Sequence, residues 1–413
     1  MTRLWSSGFE LQTVATGVEF TSIIATPVIE TTTFRSGVAA LRINNTVAEG
    51  FRQVHTAAQG AFFFRFYLYI VTLPTITGPI GGFRITGAYK VVIRLTATGA
   101  LQLYNIEDSA QVGSDSSALS TATWYRVEIK CDSTTLASTV VEANAYADTP
   151  GASSFWNPSG TIDLAANPAQ VGCAHLGDLT LDYIVDDCAV NDTTDSFQNS
   201  WPGEGELIIQ RPDAAGDNSA WTRGGTDSGA NWSQVEEFPP NDATDYVLSN
   251  TAGTIDDYNL EATPAAMAAD DVINWVGVGV RAANDVATGA DPDIVLRIKA
   301  SAGGTVEETG NLDCNSVTWK SPQPLPANDN YAAFPNDSNY QVPGTANAWT
   351  KADLDTAQIG MRESVTDTHN ALVSAIWLYV DHKPAVVGGD PEGSLLGGKL
   401  LRGGLLTHGV LTR

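Results

Sequence analysis

The sequence Thr123–Cys131, TWYRVEIKC, carries the pattern that decides the fold class. Apolar residues alternate there with Arg126, Glu128 and Lys130, so the two sets point to opposite sides of an extended strand. Alternation over this length is typical of a β-strand with one buried face. The segment Val140–Ala147 has the composition of a neighbouring strand. We therefore predict a β-hairpin at the centre of the first half of the chain.

Further strands are predicted on both sides of this hairpin. The most apolar is Ala61–Val71, AFFFRFYLYIV, where Arg65 interrupts the run and is expected to be partly wetted. Turn residues separate the other candidates, which are Ala39–Ile43, Gly81–Ile85, Tyr89–Leu95, Leu101–Ile106 and Leu179–Val190. Short strands at such spacing indicate an antiparallel β-sandwich, which we predict for residues 1–197.

The second half of the chain has the same character. Val272–Ala282 reads VINWVGVGVRA and Leu372–Asp381 reads LVSAIWLYVD, and both are strand candidates, as is Glu206–Gln210. We predict a second sandwich for residues 198–382. Residues 383–393 are rich in Pro and Gly and are predicted to be a linker. The fold class is thus all-β, with two antiparallel, jelly-roll-like sandwiches and a short Gly/Leu-rich C-terminal docking tail.

The docking tail, residues 394–413, repeats an apolar pair every five residues between glycines. Neither a helix nor a strand would collect these pairs on one face, so a solvated tail would leave them exposed. The segment is also basic, whereas the chain as a whole is acidic. We interpret it as an assembly tail that buries the pairs in a homo-oligomer or against a partner. The pairs are Leu395, Leu396, Leu400, Leu401, Leu405, Leu406, Val410 and Leu411.

Charge and composition limit the classes of partner. The formal net charge is −25, and the stretch 182–271 holds 19 acidic and two basic residues. Such a surface repels nucleic acid and anionic membranes, so neither is expected to bind the body of the protein. The N-terminus lacks the apolar run of a signal peptide, and no apolar window is long enough for membrane insertion. Cys131, Cys173, Cys188 and Cys314 lack metal-type spacing and are predicted to be buried thiols.

Two resemblances follow from particular motifs. WYRVEIKCD at Trp124–Asp132 and LDYIVDDCAVN at Leu181–Asn191 resemble strands of the laminin-G/concanavalin-A-like jelly roll, over roughly residues 8–195. That fold hosts lectins, glucanases and structural modules. A series of motifs begins in Asn231–Glu261 and continues through Leu354–Val365. Their order resembles that of a module of tailed-bacteriophage virion proteins. The second resemblance implies a virion protein made in the host cytoplasm, a trimer, and virion proteins as partners.

Candidate sites are few. No acidic string of the glucanase type, histidine pair or nucleophile motif is present, so we predict no catalytic residues and no enzyme activity. Asp182, Asp186 and Asp187 form the nearest acidic group, which is expected to be a sandwich edge and turn. Aromatic residues in turn-rich stretches are candidates for stacking a glycan, and they are Trp156 with Asn157, Trp221 and Trp232. Asp256 and Asp257 are candidate calcium ligands, although they lack loop-type spacing and no cofactor is otherwise expected.

These observations leave two hypotheses of different classes. In the first, the chain is a non-enzymatic structural component of a tailed-phage particle, associated with the tail or fibre or decorating the head, and anchored by its C-terminal tail. A host surface glycan is a possible further partner. In the second, the chain is a lectin-like protein that binds or acts on carbohydrate independently.

Overall fold

The computed structural model describes residues 3–14, 19–44, 47–55, 60–177, 180–286, 292–314, 316–320 and 334–385. Regular structure within these ranges is almost entirely antiparallel β-sheet, which confirms the all-β prediction. The single α-helix in the described part is Lys351–Leu354, and three short 3₁₀ turns span Leu136–Ser138, Trp232–Gln234 and Pro335–Asp337. None of the described helices has the length and apolar character needed to cross a membrane.

The N-terminal half, residues 3–197, contributes two sheets. Its described strands are β1 (Arg3–Ser7), β2 (Ser22–Ile24), β3 (Val28–Glu30), β4 (Ala40–Ile43), β5 (Glu49–Val54), β6 (Ala61–Thr72), β7 (Gly78–Ile85), β8 (Ala88–Leu95), β9 (Leu101–Asn105), β10 (Ala110–Val112), β11 (Trp124–Asp132), β12 (Thr139–Ala147), β13 (Ser159–Ile162), β14 (Gln170–Gly172), β15 (Ala174–His175) and β16 (Asp182–Asn191). One sheet has the order β13-β12-β11-β6-β16-β4-β3, with β1 also paired to β16. The other has the order β10-β9-β8-β7-β14-β5-β15, with β2 paired to β5.

The apolar core of this half lies between its two sheets. Phe64 and Leu68 of β6 and Val127 of β11 share it with Val91 of β8 and Leu103 of β9, all without solvent exposure. The predicted hairpin is confirmed, because β11 and β12 pair antiparallel from Tyr125–Ala147 to Asp132–Val140. The alternation read from the sequence places Val127, Ile129 and Cys131 in this core, although Arg126 and Glu128 on the opposite face are buried as well.

The C-terminal half, residues 198–385, also contributes two sheets. Its described strands are β17 (Glu206–Gln210), β18 (Pro212–Ser219), β19 (Thr222–Gly225), β20 (Asp245–Ser249), β21 (Ile255–Leu260), β22 (Val272–Asn284), β23 (Asp293–Lys299), β24 (Glu307–Glu308), β25 (Leu312–Asp313), β26 (Gln358–Glu363) and β27 (Ala371–Lys383). The order β17-β27-β20-β19 forms one sheet, with β22 also paired to β27. The order β18-β21-β26-β23-β24 forms the other, with β25 paired to β23.

Strand β27 is buried on both faces, which explains its nearly continuous apolar sequence. Ile376 and Leu378 face the core between the two sheets of the C-terminal half. Trp377 and Tyr379 face a second apolar cluster that also contains Leu11 of the N-terminal half. The glycines of the VGVGV run in β22 leave room for the aromatic rings of this second cluster. A Cβ at Gly279, for example, would lie 2.2 Å from the Trp377 ring.

The two halves therefore share a buried apolar cluster, and the chain between β16 and β17 lies next to it. Phe197 in that connection stacks on Tyr340 with ring centroids 4.9 Å apart. The four cysteines are buried as free thiols. The predicted assembly tail and the predicted linker beyond Ala385 lie outside the described residues.

Candidate functional site

Three charged residues of apolar-rich strands meet between the two halves. Arg3 of β1, Arg65 of β6 and Asp381 of β27 are all fully buried. Asp381 Oδ2 accepts hydrogen bonds from Arg3 Nη1 at 2.6 Å and from Arg65 Nη2 at 3.2 Å, and Oδ1 accepts one from Asn274 Nδ2 at 3.1 Å. The groups approach so closely that a Cβ at Gly205 would lie 2.2 Å from both Arg65 Nη1 and Asp381 Oδ1.

The buried guanidinium groups are also bonded within the N-terminal half. Arg3 Nε donates to Asn191 Oδ1 at 2.7 Å, and Arg65 Nε donates to the carbonyl oxygen of Asp187 at 2.9 Å. Burial by itself raises the pKa of Asp381, but the charges of Arg65 and Arg3 outweigh it and hold that pKa below its usual value. Asp381 is therefore ionised at neutral pH and holds the two halves together by charge. Arg65, expected to be partly wetted, is instead one of the most buried residues of the chain.

A β-bulge in β16 turns a second acidic group toward the same boundary. The register of β16 against β6 shifts between Asp186 and Ala189, and Asp187 has a left-handed φ of 46°. Asp187 Oδ2 accepts a hydrogen bond from Arg35 Nη1 at 2.6 Å, and Oδ1 accepts one from the Leu207 N–H at 2.7 Å. Burial, reinforced by the Asp187 charge, raises the pKa of Asp186. Asp186 and Asp187, predicted to form a sandwich edge and turn, thus lie in the interior, whereas Asp182 is half-buried and pairs with Arg42 at 2.6 Å.

Beside this network lies a cleft of about 150 Å³, here called the Arg126 cleft. Its charged and aromatic lining residues are Arg35, Tyr67, Arg126, Asp148, Glu204 and Glu206. Tyr67 lines it, and the Arg35 guanidinium stacks on the Tyr67 ring at 3.5 Å from the ring centroid. Arg35 is already engaged, since its Nε donates to Asp148 Oδ1 at 2.9 Å and its Nη1 to Asp187. Burial raises the pKa of Glu206, an effect that the Arg35 charge opposes.

Arg126 is bonded less completely than Arg35. Its guanidinium lies 3.9 Å from the centroid of the Tyr146 ring. The carboxylate oxygens nearest to it are Glu204 Oε1, 3.6 Å from Nη1, and Glu128 Oε2, 3.8 Å from Nε. Both separations exceed normal hydrogen-bond length. The Nε atom is buried and has no hydrogen-bond partner, although Arg126 is only 7% exposed. The guanidinium beside the cleft thus has one donor, Nε, that is buried without a hydrogen-bond partner.

An aromatic pair follows the cleft on the same face of the sheet. The register that pairs Tyr67 with Arg126 also pairs Tyr69 with Trp124, so these four side chains point to one side. The Tyr69 and Trp124 rings are 5.2 Å apart, and both residues are half-buried. Two residues along a strand correspond to about 7 Å, so the pair lies one step from the cleft.

The predicted glycan-stacking residues lie outside the Arg126 cleft and apart from one another. Trp156 is 5% exposed, belongs to the core of the N-terminal half and donates from Nε1 to the Ser114 carbonyl at 2.8 Å, while Asn157 beside it is exposed. Trp221 is 4% exposed and lies in the core of the C-terminal half, and the half-buried Trp232 packs against that core. The structure thus leaves little ring surface for a sugar at Trp156 and Trp221, and it does not bring these residues together into one site.

The predicted calcium ligands are engaged by protein groups. Asp256 accepts hydrogen bonds from the Trp221 N–H at 2.8 Å and from Asn231 Nδ2 at 2.7 Å. Asp257 forms ion pairs with Arg297 at 3.0 Å and Lys299 at 3.1 Å. Adjacent residues of a strand point to opposite faces, so the two carboxylates do not converge. No cluster of three or more His, Cys, Asp or Glu residues suited to a metal ion occurs in the described part of the chain.

Charged residues within or next to apolar stretches were the sequence signal for the buried network, but the local pattern did not show which residues pair with which. Arg65, Asp186 and Asp187 interrupt apolar stretches and Asp381 ends one, and charges that are buried in strands are generally paired. Arg126 gave no comparable signal, because it occupies an ordinary polar position in an alternating strand.

Comparison with known proteins gives distant structural neighbours. No protein-family model matches the chain, and no curated protein matches it significantly. Among solved structures, the PL-14 alginate lyase from Aplysia kurodai aligns with 46% of this chain and 99% of its own, at 13% identity and a TM-score of 0.36. The CBM22-1–CBM22-2 tandem domain of Xyn10C from Paenibacillus barcinonensis aligns with 91% and 97%, at 12% identity and a TM-score of 0.26. The binding domain of botulinum neurotoxin DC aligns with 91% and 99%, at 9% identity and a TM-score of 0.31.

Proposed function

We propose that this chain is a non-enzymatic structural component of a tailed-phage particle, displayed on the virion and anchored through residues 394–413. The single observation that carries the proposal is the ordered set of motifs beginning with Asn231–Glu261, which resembles a virion module. In the particle, the chain would be associated with the tail or fibre or would decorate the head, and its partners would be other virion proteins.

The architecture supports a display role. The apolar cores of both halves are formed by strands that end at or before Lys383, upstream of the assembly tail. The halves are joined by the buried cluster around Trp377 and by the Arg3 and Arg65 ion pairs to Asp381. Separating the halves would expose this apolar cluster to water and leave buried charges without their partners, so both halves would be displayed as one body.

The assembly tail supports anchoring through burial. Its eight apolar residues would contribute about 1.5 kcal/mol each when a partner covers them, and without such a partner no burial offsets the ordering entropy of the segment. We propose a homo-oligomer for this reason, and a trimer from the resemblance.

Deletion of residues 394–413 tests the proposal. Particles of the virus that encodes the chain would be assembled with the full-length or the truncated form, purified on a density gradient and quantified by mass spectrometry. We expect the full-length chain in the particles, and the truncated chain folded but left in the unassembled fraction. Full-length R126Q is the matched control and should enter particles normally. Normal incorporation of the truncated chain would contradict the anchoring role.

A further inference from the structure

We propose that a groove between the edge strands β10 and β13 binds the assembly tail of a second copy of this chain as an added β-strand. This groove, here called the edge groove, has a volume of about 460 Å³ and is lined mainly by Ala110–Val112 and Ser159–Ile162. The docking rests on the proposed homo-oligomer and adds the surface that receives the tail. Unpaired backbone groups, charge and the length of the tail carry it.

The two sheets of the N-terminal half end side by side at the edge groove. β10 is the last strand of one sheet and β13 the last of the other, and no described strand pairs with the outer side of either. The edges are close, because a Cβ at Gly160 of β13 would lie 2.6 Å from Val112 Cγ1 of β10. An unpaired edge is a template for a further strand, and here two templates border one groove.

The backbone of β13 directs donors and acceptors into the groove. The Ala143 N–H donates to the Pro158 carbonyl at 3.0 Å, so the antiparallel pair two residues on, at Gly160, is hydrogen-bonded to β12 as well. Ser159 and Thr161 lie on either side of Gly160, and their backbone N–H and C=O groups therefore point away from β12. Both residues are exposed and line the groove.

The backbone of β10 is directed in the same way. Leu101 of β9 bonds toward the β10 side, since its carbonyl accepts from the Ser116 N–H at 3.0 Å. Leu103, two residues on, bonds to that side as well and pairs with Val112. Gln111, next to Val112, therefore presents its N–H and C=O to the outside of the sheet. An added strand can thus form ladder hydrogen bonds with either edge.

Charge selects the tail as the occupant of the edge groove. Asp108 and Asp163 line the groove and are exposed, and none of its described lining residues is basic. Residues 394–413 contain Lys399, Arg402 and Arg413 and no acidic residue, in a chain whose net charge is −25. The tail is therefore attracted to the groove, whereas two copies that met groove to groove would place like charges together.

The length of the tail allows it to reach a neighbouring copy. Residues 386–413 follow the last described residue, Ala385, and an extended chain of that length spans about 90 Å. As a strand, the tail would direct one side chain of each apolar pair toward the sandwich. Because every copy carries both the tail and the groove, docking of each tail on the next copy can close into a ring.

Sedimentation velocity of full-length variants over a concentration series tests the groove. T161P removes an outward N–H without breaking a bond to β12, and T161V is its matched control because it keeps that N–H. D163K reverses a groove charge, and D213K makes the same change of charge on the exposed edge strand β18, outside the groove. T161P and D163K should raise the dissociation constant at least about fivefold, the effect of one lost hydrogen bond, and the controls should associate as wild type does.

Cross-linking of the full-length chain identifies the occupant. Unlabelled and isotope-labelled chains would be mixed and treated with a carbodiimide, which joins a lysine amine to a carboxylate in contact with it. We expect links between Lys399 of one isotopic species and Asp108 or Asp163 of the other. K399R keeps the charge and should associate normally but lose these links.

Three results would overturn the docking: a wild-type chain that is monomeric at every concentration, a folded T161P or D163K variant that associates as wild type does, or the absence of groove links between the two isotopic species. The anchoring role is tested separately, by particle incorporation of the chain without residues 394–413. Far-UV circular dichroism would separate loss of association from loss of fold. D163K, at an exposed position, provides the second test should T161P fail to fold.

Discussion

Replacement of Asp381 by Asn tests how the two halves are held together. The substitution keeps the size of the side chain but removes the negative charge that pairs with Arg3 and Arg65. Both guanidinium groups would stay buried, because each is fixed by further hydrogen bonds in the N-terminal half. The variant would therefore carry two buried cations without their shared counterion.

The expected loss follows from this burial. Removing one partner of a buried ion pair costs about 3–5 kcal/mol, since the remaining charge is left uncompensated in the interior. We expect D381N to lower the free energy of unfolding by that amount. The pKa of Asp381 is held below its usual value, so its contribution is present above the unfolded-state pKa and is lost as the pH falls through the folded-state pKa. The difference between wild type and D381N should shrink at acidic pH.

Urea unfolding of wild type and D381N provides the measurement. Tryptophan fluorescence and far-UV circular dichroism should be followed together, because a chain of 413 residues unfolds in two states only if the probes coincide. E142Q is the control, as it breaks the Lys130–Glu142 pair, whose side chains are 19% and 33% exposed. Its effect should stay within about 1 kcal/mol. A D381N variant within about 1 kcal/mol of wild type at pH 7 would refute the role assigned to the buried pair.

Two further substitutions test other buried groups. Burial raises the pKa of Glu19, whereas hydrogen bonds from Tyr379 and Ser7 lower it, and the result is a pKa of about 7. The folded state therefore keeps a proton that the unfolded state releases above pH 4.5, and stability should fall by up to about 3 kcal/mol as the pH rises to 7. E19Q should flatten this dependence in urea unfolding from pH 5 to pH 8, and an unchanged slope would exclude Glu19 as its source. W156A should lower the free energy of unfolding by about 3–5 kcal/mol, because it removes a core side chain. The same urea titration measures this, and a loss below 1 kcal/mol would contradict the core position.

The fold was predictable because its signals are local. The alternation in Thr123–Cys131 and the apolar runs of β6, β22 and β27 each reflect a strand whose environment repeats every two residues. The side of β11 that faces the core of the N-terminal half and the hairpin with β12 followed directly from that repeat, whereas the burial of Arg126 and Glu128 did not.

The candidate site was less predictable because its partners are distant in sequence. Arg65 and Arg3 are 316 and 378 positions from Asp381, so no local pattern connects them. The sequence also did not show that Trp156 and Trp221 are buried. The turn-rich sequence around Trp156 predicts a loop, but a β-bridge between Trp156 and Ala145 returns the side chain to the core. The Arg126 cleft forms where β6, β11 and the connection between the halves meet, and only the assembled chain brings these segments together.

Immunogold labelling of purified particles tests the central claim most directly. Antibodies raised against residues 1–385 would be applied to intact particles and the label located by electron microscopy. The display proposal predicts gold at a regular position on the particle surface, with a fixed copy number per particle by quantitative mass spectrometry. Particles that carry neither label nor chain would contradict it.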